Sequence, residues 1–203
     1  MLITNDRLQI TDLRGGFLSG TLRGNADISL AKNDPRYRAS ISVSEINFPL
    51  LTNLYYNYKT ALGLFNGTYD FTGVGSDART MQGRGKVEVT NGDVFAIPIF
   101  GPLSGILNRI LPGSGYSVAH RATANFKIDE GIIHTDDFDA AGSLFNMLGH
   151  GDVHFLDDKL DFNVRLNMKG PGFVLTPVYK LFEYAGTGSL KKPDWRPAVL
   201  KSQ

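Results

Sequence analysis

The chain has 203 residues, with 21 basic and 20 acidic side chains and a net charge of +1. That balance argues against a nucleic-acid partner, which needs a basic face, while the absence of cysteine excludes disulfides, thiolate metal sites and a cysteine nucleophile. The length suits one domain, and 23 glycines with 11% aromatics suit strands joined by tight turns.

The N-terminus, MLITNDRLQI, has neither a basic n-region nor an apolar h-region, and no stretch of the chain approaches the ~20 apolar residues of a spanning helix. Two placements fit: a cytoplasmic chain, or a piece of a longer exported protein. Residues 17–30 alternate strictly. Leu18, Leu22, Ala26, Ile28 and Leu30 share one side with Gly20 and Gly24, which predicts a half-buried strand. After the Asn33-Asp34-Pro35 turn, Tyr37, Ala39, Ile41 and Val43 give a second strand. Residues 48–62 change period: Leu51, Leu54, Tyr55 and Tyr58 fall on one helical face, with Pro49 in the first turn. Phe65, Gly67, Tyr69 and Phe71 then alternate, as do Met81, Gly83, Gly85, Val87 and Val89.

Asn91-Gly92 is a two-residue turn signal, because both residues tolerate positive φ. A second helix is expected over 98–111, with Ile99, Leu103, Ile106, Leu107 and Ile110 as its apolar stripe and Pro112-Gly113 as its stop. Strands are expected over 117–128, 132–140 and 143–155. The clearest is 160–168, where Leu160, Phe162, Val164, Leu166 and Met168 alternate with polar residues. Residues 173–183 read as a third short helix despite Pro177, and 191–203 as an irregular tail. The fold class is therefore mainly β, a long antiparallel meander over residues 1–190. About three short amphipathic helices cap or line its apolar face.

A weak internal echo runs through the chain. Gly83-x-Gly85, Gly149-x-Gly151 and Gly186-x-Gly188 place glycines two apart, on one face of a strand. Side chains are missing where another backbone packs, where the sheet bends, or where a ligand lies close. Catalytic patterns are thin. His150 and His154 are four apart in a strand, ~13 Å at ~3.3 Å per residue, too far for one metal ion. Asp136, Asp137 and Asp139 lack the loop glycine and bidentate glutamate of an EF-hand. Gly83-x-Gly85-Lys86 leads into a strand, unlike a phosphate loop, and no G-x-S-x-G occurs. No enzyme activity, cofactor or metal is expected.

Three stretches carry a family resemblance: Gly83 to Ile106, with G-x-G-x-V, the Asn91-Gly92-Asp93-Val94 turn and the apolar helix; Phe126 to Thr135, with its Asp129-Glu130-Gly131 turn; and Leu181 to Pro197, LFEYAGTGSLKKPDWRP. In these the chain resembles the C-terminal region of AsmA-like proteins, bacterial envelope proteins related to TamB and to the bridge-like lipid-transfer group. The resemblance implies a curved half-pipe sheet in the periplasm, part of a longer protein anchored in the inner membrane. Its apolar side would conduct phospholipid in outer-membrane biogenesis and lipid homeostasis. The anchor is absent from this chain. The implied partners are phospholipid acyl chains, with a membrane surface or envelope proteins beside them.

On this reading the apolar wall comprises Val87, Val89, Phe126, Ile128, Val153, Phe155, Leu160, Phe162, Val164 and Leu166. Gly83, Gly85, Gly149 and Gly151 are close-approach positions, and the Ile99–Ile110 stripe caps the wall or meets a membrane. The alternative is a structural domain with a closed core that binds protein partners through its edge strands.

Overall fold

Twelve strands pair with their sequence neighbours, in chain order, in one antiparallel sheet. The computed structural model describes residues 2–4, 6–31, 34–55, 62–110, 119–143, 145–168 and 183–198. The strands are β1 (Leu2–Ile3), β2 (Arg7–Phe17), β3 (Gly20–Ser29), β4 (Arg36–Asn47), β5 (Leu64–Val74) and β6 (Gln82–Gly92), then β7 (Ala119–Asp129), β8 (Ile132–Gly142), β9 (Phe145–His154), β10 (Lys159–Met168), β11 (Glu183–Ser189) and β12 (Lys192–Pro197). Helix α1 (Phe48–Tyr55) joins β4 to the β5 region, and α2 (Gly101–Ile110) lies between β6 and β7. The sheet is open, with β1 and β12 at its two edges.

Register carries the period-two alternation from strand to strand. Ile10 lies opposite Ala26, then Ala39, Phe71, Gly83, Ile128, Ile133, Val153 and Leu160 follow in turn across the sheet. A one-residue slip would turn that whole row to the polar face, so the apolar row fixes the pairing. A bulge between Val43 and Ile46, with Glu45 at φ 55°, switches the parity of β4 and returns Ile46 to the apolar face.

The apolar face is concave. The Phe100 ring stacks on Phe138 of β8 at 4.8 Å and lies 6.4 Å from Trp195 of β12. On a flat sheet strands four places apart are roughly 19 Å from one another. One ring reaches both because the sheet curls around it.

Several expectations are corrected. The single strand expected over 17–30 is the end of one hairpin arm and the start of the next: Leu18 and Ser19 form the turn, at φ 45° and 67°. Residues without glycine's freedom occupy this left-handed turn, so it carried no turn signal. The first helix is seen over Phe48–Tyr55, its start capped by Asn47 Oδ1, which accepts the Leu50 N–H at 3.0 Å; residues 56–61 lie outside the described residues. The second helix begins at Gly101 and not at Pro98, because a 3-10 turn over Val94–Ala96 comes first, capped by the Asp93 side chain. The third expected helix, over 173–183, falls outside the described residues, apart from Glu183, which starts β11. The expected irregular tail is a strand over Lys192–Pro197. There, Pro193 and Pro197 sit on an edge strand, where proline is tolerated.

Candidate functional site

The register places nine of the ten expected wall residues on the concave face. Val89 aligns with Ala122, Ala140, Met147 and Leu166, and Val164 with Gly149 and Phe138. Phe126 faces Gly85, Ile128 faces Gly83, Val87 faces Ala124, Phe162 faces Gly151 and Val153 faces Leu160. The exception is Phe155. It follows the end of β9, and its N–H donates to Gly131 O at 3.1 Å, so it belongs to a hairpin end and not to the strand wall.

This face divides into two parts. Over β7–β12 it is a packed core. Leu160 and Leu166 are 0% exposed, and Phe162 and Val164 are each 2%. Their cover is the segment after β6: Val94, Phe95, Ala96, Phe100 and Leu103 are all buried, with Ile97, Ile99 and Ile106 packed against them. Phe95 lies 5.7 Å from Phe145, and Trp195 Nε1–H donates to Ile99 O at 2.8 Å, tying the segment to the last strand. The helix stripe therefore rests on the wall through Leu103 and Ile106, while Ile99 precedes the helix. The side chains of Leu107 and Ile110 lie outside the described residues.

Among the described residues no such segment covers the same face over β2–β6, although Ala39, Ile46 and Val89 are buried there and Val87 packs against the edge of the core. Leu8, Ile10, Leu22, Ile28, Tyr37, Ile41, Val43, Phe71 and Val87 are all half-exposed, and Leu13 and Phe17 are exposed. They form an apolar trough that ends where the Val94–Ile106 segment begins. Its middle is aromatic: Tyr69 stacks on Phe71 at 4.8 Å and lies 5.7 Å from Phe126, while Tyr37 meets Phe71 edge-on at 6.0 Å. Tyr69 Oη is buried without a hydrogen-bond partner, and burial pushes the phenol pKa up. The alternation in 17–30 and 37–43 identified these side chains as one-sided. It could not show that they stay uncovered, because cover is decided by where a distant segment docks.

The glycines are approached closely by the sheet's own rings. A Cβ on Gly85 would stand 2.5 Å from Phe126 Cζ, on Gly149 2.6 Å from Phe162 Cε1, and on Gly186 2.7 Å from the Trp195 ring. A Cβ on Gly83 would meet Asp70 O at 2.5 Å and the Tyr69 ring at 2.8 Å. Gly151, at φ 144°, is pressed against the β10 backbone at Asp161. Aromatic side chains thus fold over glycines on neighbouring strands. The space expected for a docked helix or a ligand is filled at these positions. Gly186 lies at the middle of β11 and Gly188 near its end.

The opposite face is polar and holds the acidic cluster. His134 Nδ1 lies 2.6 Å from Asp152 Oδ1 and its Nε2 lies 3.1 Å from Asp136, and these contacts raise the imidazole pKa. Asp137 accepts from Asn125 Nδ2 at 2.5 Å and from its backbone N–H at 2.8 Å, and its pKa is lowered. Among the described residues no group of three acidic or histidine side chains could hold a metal ion. At the strand ends a hollow of about 740 Å³ is lined by Arg7, Asp27, Arg36, Tyr37 and Arg38 among others. Arg7 and Asp27 are ion-paired there, which holds the Asp27 carboxyl low.

The site is thus a concave apolar face on an open antiparallel sheet, among the described residues mostly half-exposed at one end and covered at the other. Comparison with family models, curated proteins and solved structures finds no match for the chain.

Proposed function

We propose that the protein binds lipid acyl chains in the trough of β2–β6. The observation that supports this most is the half-exposed apolar surface across five consecutive strands, on the face that is a packed core over much of β7–β12. Five strands at ~4.8 Å spacing give a trough roughly 19 Å long, and one leaflet of a ~30 Å hydrocarbon core is about 15 Å deep. The trough therefore fits about one acyl chain laid across the strands. Each buried CH₂ contributes ~0.8 kcal/mol, and the reading requires no catalytic residue. The covered end makes this region a receiving or terminal compartment, because a chain entering from β2 meets the Val94–Ile106 segment. The resemblance to AsmA-like proteins extends the proposal to phospholipid in the periplasm, within a longer envelope protein. The alternative of a closed interaction domain is favoured only by the packing over β7–β12.

Native mass spectrometry of the protein purified from cells tests this. Wild type is expected to retain phospholipid, and Ile41→Glu with Val43→Glu to lose it while keeping its circular dichroism spectrum. Both positions are half-exposed, so the charges can reach water. Folded wild type free of lipid would contradict the proposal.

A further inference from the structure

The two edges of the sheet differ in their capacity to pair. On β12 the two-residue loop Leu190–Lys191 closes Ser189 onto Lys192, and Ala198 N–H donates to Glu183 O at 2.8 Å. Lys192, Asp194 and Arg196 therefore bond inward to β11, while Pro193, Trp195 and Pro197 face outward. Proline has no N–H, so this edge offers Trp195 as its one outward donor, between two prolines. It is a terminated edge.

The β2 edge has no such block. The two-residue turn at Leu18–Ser19 makes Phe17 and Gly20 a hydrogen-bonded pair, so Leu13, Gly15 and Phe17 bond to β3. Arg14 and Gly16 then direct N–H and C=O away from the sheet, while Asp12 lies in the bulge between Ile10 and Leu13, where β2 is not paired with β3. β1 pairs only with Leu8 and Gln9, and among the described residues no strand pairs with the rest of that side.

We propose that this edge joins a second copy of the chain, β2 against β2, antiparallel about a twofold axis at Leu13. The side chains select this register. Centring on Leu13 sets Asp12 opposite the partner's Arg14 and Arg14 opposite the partner's Asp12, with Leu13 against its own copy on the apolar face. Arg14 falls at an outward-bonding position, and Asp12, unpaired with β3 in the bulge, keeps its backbone N–H and C=O free for the same partner strand. Within one copy Arg14 Nε reaches Asp12 Oδ1 at 2.7 Å, with both side chains more than 60% exposed; both are free to turn toward a partner. Pairing like edges closes on itself, whereas β2-to-β12 pairing would build an open filament, and the β12 prolines oppose it. A twofold axis perpendicular to the sheet keeps both apolar faces on one side. The two troughs then join, with a covered end at each extremity.

Sedimentation velocity on the whole chain tests this. Wild type is expected to show a concentration-dependent monomer–dimer equilibrium. Asp12→Arg sets two arginine pairs face to face, and Arg14→Asp sets two aspartate pairs face to face. Each is expected to raise the dimer Kd roughly thirtyfold. The double swap Asp12→Arg with Arg14→Asp is expected to restore it to within roughly threefold of wild type. Mixing the two single variants in equal amounts is expected to give heterodimers, since every facing pair is then opposite in sign. A monomeric wild type, growth beyond the dimer, or single variants that do not complement one another would each overturn the proposal.

Discussion

The concave face over β7–β12 and the same face over β2–β6 are built alike and end differently. Both alternate apolar and polar residues, and both place aromatic rings over glycines of neighbouring strands. The difference comes from one segment. Val94–Ile106 buries Phe95, Phe100 and Leu103 against β7–β12 and, among the described residues, leaves most of the apolar face of β2–β6 half-exposed. A β wall does not by itself decide between core and groove; the decision lies in the excursion that does or does not return to it.

The largest way to break the comparison is within the covered half. Phe95→Ala removes a ring that is 1% exposed and is expected to cost about 3–5 kcal/mol in denaturant unfolding. Ile41→Ala in the trough is expected to cost less than ~1.5 kcal/mol, because the site is already open to water. Equal costs would mean the two halves are equally packed.

Glycines give a smaller contrast. Gly85→Ala drives a methyl into Phe126 and is expected to destabilise by about 1–3 kcal/mol. Gly15→Ala, with nothing within 4 Å of its added Cβ, is expected to stay within ~0.5 kcal/mol of wild type. Tyr69→Phe sharpens the picture in the opposite direction. It removes a buried hydroxyl without a partner, and thermal unfolding is expected to show a gain of up to ~1 kcal/mol.

The smallest effect is electrostatic. The pKa of His134 is raised by Asp152 and Asp136, so its contribution is fully present below the unfolded histidine value near ~6.5. That contribution is lost as pH rises through the folded pKa. The side chain is 44% exposed, so the change is expected to be a few tenths of a kcal/mol at most. His134→Gln is expected to remove it from a stability series between pH 5 and 8.

Much of the fold was legible in the sequence for a simple reason. A strand with one buried face must alternate, and β10, β6 and β3 do so cleanly. The wall residues followed from that parity, and nine of the ten lie within strands; only Phe155 fell past a strand end. Other features had no local signal. The Leu18–Ser19 turn lacks glycine and asparagine, and β12 carries two prolines that read as irregular. The location of the trough depended on contacts between residues far apart in sequence, such as Trp195 with Ile99, which no periodicity encodes. The glycine pattern was visible, but its cause was not, because the covering rings come from neighbouring strands.

The most direct measurement is methyl NMR with a spin-labelled fatty acid. A doxyl-stearate bound in the trough is expected to broaden the Ile41, Val43 and Val87 methyl signals and leave those of Val164 and Leu166 sharp. Broadening at Val164 and Leu166, or no broadening at any of the five, would contradict the division of this face into an open trough and a packed core.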